Sequence, residues 1–111
     1  MDQITNYRQV MQRVLEDYAQ WLSTDERVKI LPVCDPVNDQ YLLITLGWIN
    51  GRREHDICFH AWLHEHKFMI EIDLTENGLS HQLIEAGIAA ADILYAWGSP
   101  LRAQAEAALA A

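Results

Sequence analysis

The sequence predicts an α+β fold: an N-terminal amphipathic helix, a four-stranded antiparallel β-meander and short C-terminal helices. Three observations carry that prediction. The N-terminal part repeats apolar residues at helical spacing, four β-rich runs follow it, and Asn50-Gly51 sits between two of those runs. Asn-Gly is the strongest two-residue hairpin signal, because a type I′ turn needs positive φ at both positions.

The helix is expected over residues 2–22. Ile4, Tyr7, Met11, Val14, Tyr18 and Trp21 recur at alternating steps of three and four, and Val10, Leu15 and Leu22 widen the stripe. Such a seam fits packing across a sheet, and also a short coiled coil. Ser23 to Glu26 breaks the helix. The strands are expected at Val28–Val33, Tyr41–Ile49, Arg53–His64 and Lys67–Thr75, with turns at 35–39, 50–51 and 65–66. Pro32 limits the first strand to a sheet edge or a short piece.

Two-residue turns at 50–51 and 65–66 set Ile44 opposite Ile57, Leu42 opposite Phe59, and Phe59 opposite Ile72. Both registers gather one apolar face: Leu42, Ile44, Leu46, Ile57, Phe59, Ala61, Leu63, Phe68, Ile70, Ile72 and Leu74. A slip of one residue would send half of them to the other side. Thr75-Glu76-Asn77-Gly78 reads as a capping box before a short helix at Leu79–Ala86, with Gly87 as its left-handed C-cap. An extended apolar piece follows near Ile93–Trp97, and the alanine-rich stretch from Leu101 is helix-prone.

Size and charge narrow the function classes. A chain of 111 residues, half of them apolar, builds one domain with one modest core. No apolar run is long enough to span a membrane, and no signal peptide is expected. Two cysteines, Cys34 and Cys58, fit reduced thiols in a cytoplasmic protein. Sixteen carboxylates against eight Lys and Arg give a net charge of −8. Direct nucleic-acid binding is not expected, since phosphate contacts need a basic face.

The same registers place Tyr41, His60 and Glu71 in one row on the second sheet face, followed by Leu43, Cys58 and Asp73, then Thr45 and Asp56. Histidine beside a carboxylate is a combination that acid–base catalysis uses, and cross-strand polar pairs also simply stabilise sheets. His60 and His64 stand about 13 Å apart along a strand, too far to share a zinc ion. His64 and His66 could meet at their turn, but two ligands do not close a structural site and Cys34 and Cys58 lack C-x-x-C spacing, so no metal or other cofactor is expected. Arg52 and Arg53 would meet a partner's carboxylates or a phosphate, or guard the hairpin end with Arg53 over Trp48.

A further layer comes from short signatures in order. Tyr7-Arg8-Gln9-Val10 with Val14-Leu15 and Tyr18 opens the chain. Leu46-Gly47-Trp48-Ile49-Asn50-Gly51-Arg52-Arg53-Glu54-His55 follows, then Ile70-Glu71-Ile72-Asp73-Leu74-Thr75-Glu76-Asn77-Gly78-Leu79. Leu83-Ile84-Glu85-Ala86-Gly87-Ile88, Asp92-Ile93-Leu94 and Ser99-Pro100 close the series. This order resembles the XisI family, the fdxN element excision controlling factors found mainly in cyanobacteria.

The resemblance implies a non-enzymatic regulatory protein associated with DNA rearrangement. It also implies protein–protein contact with a XisH-like partner, whose family resembles nuclease-like folds. An inhibitor–nuclease pairing is an equally admissible form of that role. The expected contact residues are Arg52, Arg53, Trp62, Met69, Tyr95 and Trp97. A homo-oligomer is also open, from the helix seam and the four tryptophans. The competing class is a small ligand-binding or enzymatic domain using the Tyr41–His60–Glu71 row. The chain departs from the family pattern in its alanine-rich C-terminal end and in its histidines around 60–66.

Overall fold

The computed structural model describes residues 2–22 and 27–97. The expected helix is present as α1 (Gln3–Leu22), started by Asp2, whose side chain accepts the Thr5 amide at 2.8 Å. That is the N-cap geometry that satisfies an otherwise orphaned donor. The strands are β1 (Val28–Asp35), β2 (Gln40–Ile49), β3 (Arg52–His64) and β4 (Lys67–Asp73), followed by α2 (Ser80–Glu85). A 3-10 turn at Ala90–Asp92 then leads into β5 (Ile93–Tyr95).

The sheet order is β1-β2-β3-β4-β5. The first four strands form the expected antiparallel meander, with β1 at the edge. The expected apolar piece after residue 92 is a fifth strand, parallel to β4. The sheet is therefore mixed and five-stranded rather than four-stranded. Both predicted hairpin turns have the type I′ signature: Asn50 and Gly51 lie at φ 51° and 79°, Glu65 and His66 at 49° and 67°.

α1 lies on one face of the sheet, which settles the use of its seam. Tyr7, Val10, Met11, Val14, Leu15 and Ala19 are buried against Tyr41, Leu43, Phe59, Ala61, Phe68 and Ile70. Phe68 is central: Tyr7 stacks on it with ring centroids 6.1 Å apart, and Tyr41 meets it edge-on at 6.0 Å. Trp21, at the helix end, drops out of the seam and is 69% exposed.

The register departs from expectation at two β-bulges. Ile44 does face Ile57, but Leu43 faces Phe59, so Cys58 is the extra residue in β3. Leu42 consequently lies opposite His60 rather than Phe59. Ala61 does face Ile70, but His60 faces Ile72, so Glu71 is the extra residue in β4. Each bulge reverses the alternation beyond it. Phe59, Ala61, Leu63, Phe68 and Ile70 point to α1 as expected. Leu42, Ile44, Leu46, Ile57 and Ile72 lie on the opposite face, and Leu74 is exposed. Tyr41 and Leu43 take their place in the core.

The α2 region also differs from expectation at its start. The expected Thr75 cap is not made, since Leu79 is the N-cap of α2 and no side chain caps it. The Asp73 carboxylate instead holds the preceding loop, accepting the Leu79 and Thr75 amides at 2.9 and 3.0 Å and the Thr75 hydroxyl. The predicted C-cap is present. Gly87 at φ 118° donates to Ile84 O, and Ile88 donates to Leu83 O. Those two bonds make a Schellman motif, with Ile88 and Leu83 buried together.

Candidate functional site: the outer sheet face

The two bulges leave the sheet with a second apolar face, turned away from α1. Paired residues share a face, so the register defines its rows. Leu31–Ile44–Ile57 forms the middle row, and Val33–Leu42–His60 lies on one side of it. Lys29–Leu46–His55 lies on the other, followed by Trp48 opposite Arg53. Leu31, Val33 and Ile57 are 40%, 42% and 41% exposed. Among the described residues, this exposed apolar strip is the candidate site.

Each end of the strip carries polar chemistry. At the hairpin end, Arg53 places its guanidinium 5.6 Å from the Trp48 ring centroid and donates to Gly47 O at 3.4 Å. Arg27, Lys29, Leu46, Gly47, Trp48 and Arg53 line a cavity of about 390 Å³ there. Arg52 is exposed at the turn. Four of the chain's eight Lys and Arg thus gather at one end of an acidic molecule: Arg27, Lys29, Arg52 and Arg53. Gly47 is required at this corner. A Cβ there would stand 2.1 Å from Arg27 O, the oxygen that accepts the Trp48 amide at 2.9 Å.

At the other end, Gln40, His60, Trp62, Glu71 and Ile72 line a cavity of about 480 Å³. His60 Nε2 lies 2.8 Å from Gln40 Oε1, and Trp62 Nε1 donates to Glu71 Oε2 at 2.8 Å. Burial holds the His60 pKa below the ordinary histidine value, against the smaller opposing pull of Glu71. The expected Tyr41–His60–Glu71 row is therefore only partly assembled. His60 and Glu71 share the cavity, with Gln40 in the place given to Tyr41.

Tyr41 is buried on the α1 side, opposite Ala61, as the Cys58 bulge requires. Its hydroxyl donates to Asp39 Oδ1 at 3.1 Å. Arg8 grips the same carboxylate with two bonds of 2.8 and 3.0 Å, tying α1 to the β1–β2 turn. Desolvation raises the Tyr41 pKa well above the usual phenol value. The next expected row is also dispersed, because Leu43 and Asp73 both lie opposite Phe59 and Cys58 sits in the bulge. Thr45 does face Asp56.

The expected partner residues divide by exposure. Arg52 and Arg53 are open to solvent, and Trp97 is exposed beside Tyr95 at 5.2 Å. Trp62 and Met69 are 7% and 3% exposed, because Leu94 and Ala96 around β5 pack over them. They support the outer face rather than offer themselves on it. Sequence reading missed Leu31 and Val33 as exposed residues and set Ile44 on the core face, where it is in fact on the outer face and half-buried. The available signal was Lys29–Val33 alternating against Tyr41–Leu43, which a bulge-free register assigns to the wrong side.

Among the described residues, no three His, Cys, Asp or Glu side chains converge as a metal site. No described helix is long and apolar enough to cross a membrane. His81 pairs with Glu85 at 2.9 Å on the exposed side of α2. Burial raises the Cys34 thiol to about 11.

The family model for XisI protein matches residues 1–108. The chain is similar to a XisI-like protein from Anabaena variabilis ATCC 29413, at 20% identity and a TM-score of 0.78. That match covers 89% of this chain and 91% of the other. It is also similar to the fdxN element excision controlling factor XisI from the same organism, at 27% identity and a TM-score of 0.71. Coverage there is 91% of this chain and 98% of the other. A comparison with curated proteins finds no match.

Proposed function

Because this chain belongs to the XisI family, we propose that it is a non-enzymatic regulatory protein acting through protein–protein contact with a XisH-like partner. The contact would control DNA element excision or hold a nuclease-like partner in check, in the cytoplasm. One observation carries this reading: the outer sheet face combines an exposed apolar row with a cationic, tryptophan-backed end. Aromatic and arginine side chains beside apolar surface are the residues that dominate protein interfaces. A net charge of −8 disfavours a duplex as the first target.

The catalytic alternative loses its tyrosine to the core. What it retains, His60 on Gln40 and Trp62 on Glu71, is already paired at 2.8 Å.

The test is affinity capture of the XisH-like protein from the same organism on the immobilised full chain, beside Arg52→Glu and Arg53→Glu variants. Stoichiometric capture is expected, with at least about tenfold weaker binding in the variants, corresponding to about 1.4 kcal/mol. Absence of any complex at micromolar concentrations would sink the partner reading.

A further inference from the structure

The outer face is its own complement. Along β2, Trp48 and Gln40 stand four residues on either side of Ile44. Their strand partners on β3 are Arg53 and Trp62, and Trp62 holds Glu71. Arg53 and Trp62 thus stand at equal steps from a central apolar row, and the Trp62 end also carries the Glu71 carboxylate, set on β4 nearer the middle. An occupant must offer an apolar middle, a carboxylate at one end and a cation at the other.

We propose that in the isolated protein a second copy of this chain covers the face. The proposal rests on the reading of that face as a protein interface. A two-fold axis lying between two apposed sheets and crossing the strands at Ile44 reverses the strand direction. It leaves each strand over its own counterpart. Ile57 then meets Ile57 at the centre, and Arg53 lies over the partner's Trp62, beside the Glu71 carboxylate that Trp62 holds, once at each end. Such an interface is isologous, so a favourable pair at one end is made twice. Aligned packing of two sheet faces is the ordinary geometry of β-sandwiches. The XisH-like partner would have to displace the second copy to use the same strip.

The experiment is sedimentation velocity on the full chain in the micromolar range. A dimer is expected. Ile57→Glu, at an exposed position, should weaken it at least about tenfold by apposing two carboxylates on the axis. Arg53→Glu and Glu71→Arg should each be monomeric alone and form a dimer when mixed, since the mixture restores opposite charges at both ends. A dimer indifferent to all three substitutions would overturn the proposal, because it would use another surface.

A monomeric wild-type chain would overturn it too, and hydroxyl-radical labelling of Trp48 and Leu31 then identifies the cover. Protection only with the XisH-like protein leaves the interface reading standing without the second copy. Protection in the lone monomer assigns the cover to residues 98–111. Labelling unaffected by either removes both readings.

Discussion

The two faces of the sheet are made from similar side chains and have opposite fates. On the inner face, Phe59, Phe68, Ile70 and Leu43 are fully buried beneath Met11 and Leu15 of α1. On the outer face of the same sheet, Leu31, Val33 and Ile57 are exposed and Ile44 is half-buried. Among the described residues, its corner is closed where Leu94 and Ala96 cover Trp62 and Met69. Apolar content therefore does not say which face is the core. The presence of α1 decides that.

Substitutions can break this contrast. The largest effect is expected at the centre of the inner face: Phe68→Ala should cost about 3–5 kcal/mol, because it empties the site between Tyr7 and Tyr41. Leu31→Ala on the outer face should cost under about 1 kcal/mol by the same urea titration. Similar losses for both would mean that the outer face is filled within the chain.

Gly47→Ala tests the corner that joins the two faces. The new methyl would collide with the Arg27 carbonyl and loosen the β1–β2 pairing. A loss of about 1–3 kcal/mol or more is expected, read by denaturation. Asp39→Ala removes the Arg8 fork and the Tyr41 hydroxyl bond from the inner-face side, and about 1–2 kcal/mol should be lost. Arg8 and Asp39 are both partly exposed, which keeps the effect below that of a core deletion.

A gain is expected at the second hairpin. Glu65→Asn with His66→Gly places the preferred residues in a turn that already has positive φ at both positions. It should raise stability by about 1 kcal/mol. The smallest effect concerns pH on the outer face. Burial lowers the His60 pKa, so the unfolded chain binds the proton more readily than the folded one. Stability should therefore fall as pH drops below the unfolded value of 6.5, until the folded group also protonates. His60→Gln should flatten that part of the stability–pH curve. An unchanged slope would place its origin elsewhere.

Much of this architecture is legible in the residues. Ile4 to Leu15 announce the helix, Asn50-Gly51 the hairpin, and Leu83 with Gly87 the C-cap, because each is a local preference with a local cause. Arg53 over Trp48 was equally readable, since a two-residue turn fixes their pairing. Asp73 as the acceptor of the Leu79 amide was not, because it reaches six residues along the chain. The His60 cavity was half-legible: Glu71 reaches it through a bulge, whereas Tyr41 leaves it through another.

The sequence by itself determined the α+β class, the order of the helix and the four-stranded meander, and the membership of the signatures in one family, while the fifth strand appeared only in the structure. Which side of each strand faces inward was decided by tertiary structure. A period of two residues has no absolute sign, and one extra residue at Cys58 or Glu71 inverts it. Those bulges carry Phe59 and Tyr41 together under α1, a gain made through packing between distant segments that no local pattern records.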